Sequence, residues 1–171
     1  MNCREVLKKV DVFRDLNQVQ ADLIAPHCIE RKALEGERII SEGEHGESMF
    51  LLVDGAVEIS KKLTLLQRGE ADLRDKKLTV LKAGPDSESY PVFGEMGLFA
   101  PDERSATVTA VTTCTLLEIR GKDFLAICEK DCRLGYLVTK RIVQIVSERI
   151  RQTNKDVLKL TTALCLALES T

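Results

Sequence analysis

The chain has 171 residues, 44% of them hydrophobic, and a formal net charge of −2. That length predicts a single domain over residues 1–171 with a buried core, and a charge near zero argues against non-specific binding to nucleic acid, which needs a basic face. The N-terminus lacks the apolar core of a signal peptide, and the most apolar stretch, residues 163–168, is far shorter than a membrane span, so we expect a cytoplasmic protein that does not enter a membrane.

The first 27 residues are predicted to form helices. Apolar residues recur at helical spacing in the list Leu7, Val10, Phe13 and Leu16. Asn17 is a candidate N-cap for a second helix that ends near His27, because asparagine side chains accept hydrogen bonds from the free N–H groups of a first helical turn.

Short β-prone segments separated by glycines predict an antiparallel jelly-roll barrel over residues 28–120. The segments are residues 28–34, 37–41, 48–53, 56–61, 77–82, 105–111 and 114–119. Asp54-Gly55 predicts a hairpin turn between two of them, and Gly43 and Gly46 predict a loop turn. Residues 62–76 are interpreted as a long charged connection, and residues 84–89 as a second polar loop. The fold class expected is therefore α+β.

Residues 121–168 are predicted to form C-terminal helices with a hinge near residues 129–135. Gly135 is expected to interrupt the helical run, and Asp131 to cap a new start. Beyond it, alternating spacings of three and four join Val143, Val146, Ile150, Thr153, Val157, Leu160 and Leu164. A seam over three heptads is typical of a coiled coil, so we expect a homodimer; a helix packed on its own barrel is the alternative.

Residues 93–110 contain the segment with the most distinctive chemistry. Glu95 follows Gly94 at the start of a short apolar helical segment, and Arg104 stands nine residues later, before an alternating strand. Backbone N–H groups at a helix start and a guanidinium are both partners for an anion. The glutamate would repel a phosphate, so we expect it to accept a hydroxyl donor on the same ligand.

This segment resembles the phosphate-binding cassette of the cyclic-nucleotide-binding domain family, and the resemblance covers roughly residues 10–160. It implies that Glu95 accepts the ribose 2′-hydroxyl and that Arg104 pairs with the cyclic phosphate. The ligand-binding residues implied, within a cassette of residues 93–107 and one helix position, are Phe93, Gly94, Glu95, Met96, Arg104, Ser105, Ala106 and Thr153.

The last helix is similar to the central helix of the transcription factors in that family. There, the threonine that matches Thr153 touches the adenine and the next residue reaches the ligand of the other subunit, a position that Asn154 fills here in place of serine. Only residues 161–171 follow Leu160, too few for the DNA-binding domain of those factors. We therefore expect a sensor without an attached output, either a stand-alone protein or a fragment.

Three classes of function are consistent with these residues. A non-catalytic cAMP sensor without a cofactor is favoured, since a threonine after the cassette arginine is associated with cGMP in the family and Ser105 stands there; cGMP is the alternative ligand. A degenerate domain that serves only dimerisation or protein interaction is the second class. A metal enzyme on a similar jelly roll is the third, but His27 and His45 are too few ligands, and the six cysteines, including Cys128 and Cys132, lack metal-site spacing.

Overall fold

The computed structural model describes residues 3–67, 70–99 and 102–169. The helices are α1 (Cys3–Lys8), α2 (Gln18–Ile24), α3 (Gly121–Lys130) and α4 (Cys132–Glu169), with short 3-10 helices at Asp11–Phe13, Ala25–His27 and Glu95–Leu98. The strands are β1 (Ile29–Ala33), β2 (Arg38–Ile40), β3 (His45–Gly46), β4 (Ser48–Gln67), β5 (Glu70–Ala83), β6 (Val92–Phe93), β7 (Asp102–Glu103), β8 (Thr107–Ala110) and β9 (Cys114–Arg120).

Strand β4 is shared by the two layers of a curled antiparallel sheet. Its first part pairs with β9 and β6, and β9 pairs in turn with β1. Its second part pairs with β8 and β5, and β8 pairs with β2. The expected α+β fold, an antiparallel jelly roll with flanking helices, is confirmed.

The core consists of two clusters that meet along β4. Met49, Leu51 and Val53 point to the helices, where they join Phe124 and Val138 in the first cluster. Phe50 and Leu52 point into the barrel and join the second cluster, with Phe93 and Leu116. The apolar run of residues 49–53 is therefore continuous because both faces of this strand are covered, which removes the alternation seen in a half-exposed strand.

The predicted hairpin at Asp54-Gly55 is wrong. The chain continues through this dipeptide as one strand, with a register shift between Leu52 and Asp54 where β4 passes from one layer to the other. Gly55 has φ +101°, and a Cβ there would lie 2.6 Å from the Thr113 carbonyl oxygen. The bulge therefore falls at Val53, and glycine two residues later lets the strand bend closely past Thr113.

The charged connection predicted over residues 62–76 is also wrong for residues 62–67 and 70–76, which lie in strands; residues 68 and 69 lie outside the described part of the chain. Strands β4 and β5 extend the antiparallel ladder from Gly55 and Ala83 to Gln67 and Glu70, well beyond the layers of the barrel. The polar loop predicted over residues 84–89 is confirmed, with Ser87 closing a turn onto Gly84. The short β3–β7 pair was not predicted, because two-residue strands leave almost no periodic pattern.

Of the two predicted N-terminal helices, the second occurs as predicted, whereas the first is shorter than predicted. Asn17 accepts a hydrogen bond from the Gln20 N–H at 2.9 Å, and the Gln20 side chain accepts one from the Asn17 N–H, a complete capping box. The first α-helix ends at Lys8, because Val10 forms a bridge with Tyr90 instead of continuing the helix.

The hinge region has the expected cap but not the expected break. Asp131 separates α3 from α4, and its carboxylate accepts the Leu134 N–H at 2.9 Å and the Gln20 side-chain amide at 3.2 Å. The Leu134 N–H is the main reason that the pKa of Asp131 lies below its ordinary value. Gly135 does not interrupt the helix: it lies inside α4, where a Cβ would come within 3.0 Å of the Cys128 Cβ. Glycine at residue 135 therefore allows α3 and α4 to approach closely.

Only the first half of α4 packs on the rest of the molecule. Leu134, Val138 and Ile142 are buried in the first core cluster, and Arg141 forms ion pairs with Asp11 and Asp15. From residue 148 to residue 168 every described side chain is exposed. Within the described ranges, no helix has the length and apolar character needed to cross a membrane. The cytoplasmic location stays a prediction.

Candidate functional site

The turn after β6 places Glu95 in the interior of the protein. Phe93 is buried and stacks on Phe50 with ring centroids 5.5 Å apart, which anchors the start of the turn. Gly94 adopts the left-handed conformation with φ +72°, and the 3-10 helix Glu95–Leu98 follows. Glu95 is only 3% exposed, whereas Met96, the next residue, is 62% exposed.

Arg104 enters the same site from a second segment. Its backbone N–H donates to the Glu44 carbonyl at 2.8 Å, and its carbonyl accepts the Gly43 N–H at 2.9 Å, so the residue is fixed directly after β7. Its Nη1 donates to the carbonyl oxygens of Ser48 at 2.8 Å and Gly94 at 3.2 Å. One nitrogen of the guanidinium is therefore used to hold the side chain in place.

The electrostatic setting of Arg104 suits an added anion. Burial lowers the pKa of the Arg104 guanidinium, and the nearby carboxylates of Glu118 and Glu95 oppose that shift. No hydrogen bond of Nε or Nη2 to any described residue is present in this half-buried side chain. A desolvated cation with free donors gains more from an anion than a solvated one does.

Arg149 of α4 is a further residue of the site that sequence reasoning missed. Its Nη1 donates to Glu95 Oε1 at 2.5 Å, and its Nη2 donates to the Val92 carbonyl at 3.4 Å. The side chain of Arg149 is 51% exposed, while that of Glu95 is 5% exposed. The pair joins the exposed half of α4 to the turn after β6. The sequence could indicate only that a buried acid needs a partner; no spacing in the chain pointed to Arg149 as that partner.

The remaining predicted positions differ in how close they lie to this pair. Ser105 is exposed and Ala106 half-buried at the entrance to β8. Thr153 is exposed, and its hydroxyl donates to the Arg149 carbonyl at 2.9 Å. The turn, Arg104 and its two successors thus lie together, while Thr153 stands one helical turn beyond the contact that Arg149 makes. The ligand-binding roles of all eight residues stay predictions.

In the part of the chain that the structure describes, no group of three or more His, Cys, Asp or Glu side chains is arranged to hold a metal ion.

A family model and several characterised proteins are similar to this chain over most of its length. The family model described as cyclic nucleotide-binding domain matches residues 30–131. The cGMP-dependent protein kinase of Plasmodium berghei is 28% identical over 154 residues, which are 88% of this chain and 15% of the kinase. The cyclic AMP receptor protein of Thermus thermophilus is 26% identical over 150 residues, 88% of this chain and 62% of the receptor protein. The chain therefore spans less than two thirds of these relatives.

The fold has a close counterpart among solved structures. The crystal structure of Thermus thermophilus catabolite activator protein matches with a TM-score of 0.71 and 25% identity, covering 88% of this chain and 63% of that chain.

Proposed function

Because this chain belongs to the cyclic nucleotide-binding domain family, we propose that it binds a cyclic nucleotide through Arg104 and Glu95 and acts as a non-catalytic sensor. The observation that carries the proposal is the half-buried Arg104, held by two carbonyls beside a buried Glu95. In the bound state the guanidinium pairs with the cyclic phosphate and the carboxylate accepts the ribose 2′-hydroxyl.

The ligand proposed is cAMP in preference to cGMP. The residue after the arginine is Ser105, whereas in the family a threonine at this place is associated with cGMP; a serine hydroxyl can serve either the phosphate or a guanine, so cGMP is the alternative ligand. The names of the relatives include both nucleotides, so the choice rests on this position.

Calorimetric titration with cAMP, cGMP and 2′-deoxy-cAMP tests the proposal. We expect cAMP to bind most tightly and the deoxy ligand to bind about 1–3 kcal/mol more weakly, because Glu95 would then lack the hydroxyl donor at a buried carboxylate. Equal affinity for the ribo and deoxy forms would remove the ribose role from Glu95. No heat with either ribonucleotide would leave the protein as an interaction module without a ligand.

A ligand at this site would also act on α4. The Glu95 carboxylate that accepts the ribose hydroxyl also accepts a hydrogen bond from Arg149, and Thr153 lies one turn further along the same helix. A base held by Thr153 and a phosphate held by Arg104 would together favour one position of the helix relative to the barrel, with the hinge near Asp131. A ligand shifts such an equilibrium only through contacts that differ between the two states.

The exposed half of α4 is proposed to pair with a second copy of the chain. Val143, Ile150 and Val157 of the heptad seam are each more than half exposed, as is Leu160. A two-stranded coiled coil would cover these side chains. The charged residues of the same helix, such as Glu148 and Arg151, lie off the seam, as expected for positions that remain in water.

Sedimentation equilibrium measures this association directly. We expect a mass twice that of the 19.1 kDa chain for the wild type and a shift toward the single-chain mass for Val157→Lys. Leu158→Lys is the matched control, since Leu158 is the neighbouring residue, is also more than half exposed and lies off the seam. If both variants behave alike, the seam does not form the interface.

A further inference from the structure

We propose that Gly46 is a positioning residue for Arg104: it reserves the space in which the guanidinium lies, and so fixes which edge of the guanidinium meets an anion. The expected effect of Gly46 on ligand affinity rests on the proposed function. Its effect on the position of the Arg104 side chain can be tested in the protein without ligand.

Space, and not backbone conformation, requires glycine at residue 46. A Cβ at Gly46 would lie 1.9 Å from Arg104 Nε, 2.4 Å from Cζ and 2.5 Å from Nη2. The φ angle of Gly46 is not in the left-handed region, in contrast to Gly43 with φ +84°. The loop turn predicted at both glycines is therefore correct for Gly43 only, because Gly46 belongs to strand β3.

Two further glycines surround the other side of the guanidinium. A Cβ at Gly94 or at Gly97 would lie 2.9 Å from Arg104 Nη1. The same Nη1 donates to the Ser48 and Gly94 carbonyls. Glycines and carbonyls thus lie around Nη1, whereas Gly46 is the glycine that adjoins the Nε and Nη2 edge. That edge is the bidentate face that an arginine offers to a phosphate.

The segment that carries Gly46 is tied to the segment that carries Arg104. Strand β3 pairs with β7, with Gly46 opposite Asp102, and Arg104 exchanges backbone hydrogen bonds with Glu44 and Gly43. These backbone contacts hold in place what we call the cradle, namely Gly46, Gly94 and Gly97 around the Arg104 guanidinium. A Cβ at residue 46 would displace the guanidinium, the mobile end of a flexible side chain, more readily than it would displace the backbone.

The ligand-independent test is the NMR signal of the Arg104 Nε–H group, assigned by its loss in Arg104→Lys. We expect Gly46→Ala to shift this signal, while Gly36→Ala leaves it in place. Gly36 is the matched control because its φ of +81° strains an alanine but no atom lies within 4 Å of the added Cβ. An unmoved signal in Gly46→Ala overturns the cradle, whether or not the protein binds a nucleotide.

The binding test is a double-mutant cycle with cAMP as the probe. Gly46→Ala is expected to lower the affinity about 30-fold or more, as does Arg104→Ala, and the double variant is expected to lose no more than Arg104→Ala does alone. Additive losses, or unchanged affinity despite a shifted NMR signal, overturn the positioning role. If the wild type binds no cyclic nucleotide, the proposed function fails and the NMR result still decides the cradle.

Whether the Gly46→Ala protein folds also tests the proposal. Should Gly46→Ala fail to fold, recovery of the fold in Gly46→Ala/Arg104→Ala would support the collision with Arg104, and continued failure would overturn it.

Discussion

Replacing Arg104 by lysine is expected to weaken cAMP binding by roughly 2 kcal/mol, the lower end of the range of about 2–5 kcal/mol for truncating one partner of a desolvated charge pair. Lysine keeps the charge but has one nitrogen, and in this protein Nη1 already holds the Ser48 and Gly94 carbonyls. A single ammonium cannot hold both carbonyls and also offer a two-pronged donor to a phosphate. Calorimetric titration of the variant with cAMP measures the loss.

The control for this substitution is Arg151→Lys, on an exposed arginine that pairs with the exposed Glu148. We expect its cAMP affinity to equal that of the wild type. An Arg104→Lys protein that binds cAMP as tightly as this control would show that the phosphate is held by other groups.

Local signals in the sequence were sufficient for the cap of α2 and for the turn at Gly94. Asn17 and Gln20 are three residues apart and satisfy each other's backbone within one turn. Gly94 and Glu95 likewise form their turn from neighbouring residues. In such cases the partner of each group lies within a few residues, so the pattern contains the whole interaction.

Features that depend on distant strands could not be predicted in the same way. Gly55 has the sequence context of a hairpin turn, yet it lies inside β4 beside a bulge, because β8 and β9 pair with successive parts of the same strand. Gly135 has the composition of a helix break, yet it lies inside α4 because Cys128 of the preceding helix packs against it. Glycine is suited both to a turn or helix break and to a close contact inside a strand or helix, and only tertiary packing decides between these roles.

The site shows the same division. The resemblance to the family supplied Glu95 and Arg104, whereas Gly46 and Arg149 emerge only from three-dimensional contacts. Arg149 is 54 residues from Glu95, so its role depends on how α4 crosses the turn after β6. Seam spacing indicated which face of α4 is apolar, but an ion pair on the flank of a helix leaves no periodic signal.

Replacing Arg149 by methionine is expected to lower the free energy of unfolding of the ligand-free protein by roughly 2–3 kcal/mol, at or just below the bottom of the range of about 3–5 kcal/mol for a broken buried pair. Methionine keeps the length of the alkyl chain but leaves the Glu95 carboxylate, with a 5% exposed side chain, without its partner. The expected loss is not at the upper end because half of Arg149 is exposed, so water can reach the gap. Urea unfolding measures the change.

Two companion variants decide whether the ion pair itself accounts for this loss. Arg151→Met removes an arginine from the same exposed half of α4 and is expected to change stability little, since its partner Glu148 is solvated. Glu95→Gln combined with Arg149→Met is expected to recover most of the loss, because no buried charge then remains unpaired.

If Arg149→Met unfolds like Arg151→Met, the pair does not fasten α4 to the barrel, and hydrogen exchange over residues 148–168 should be equally fast in both variants. If the pair does fasten the helix, exchange there rises only in Arg149→Met, since Arg149 joins this part of α4 to Glu95 and to the Val92 carbonyl.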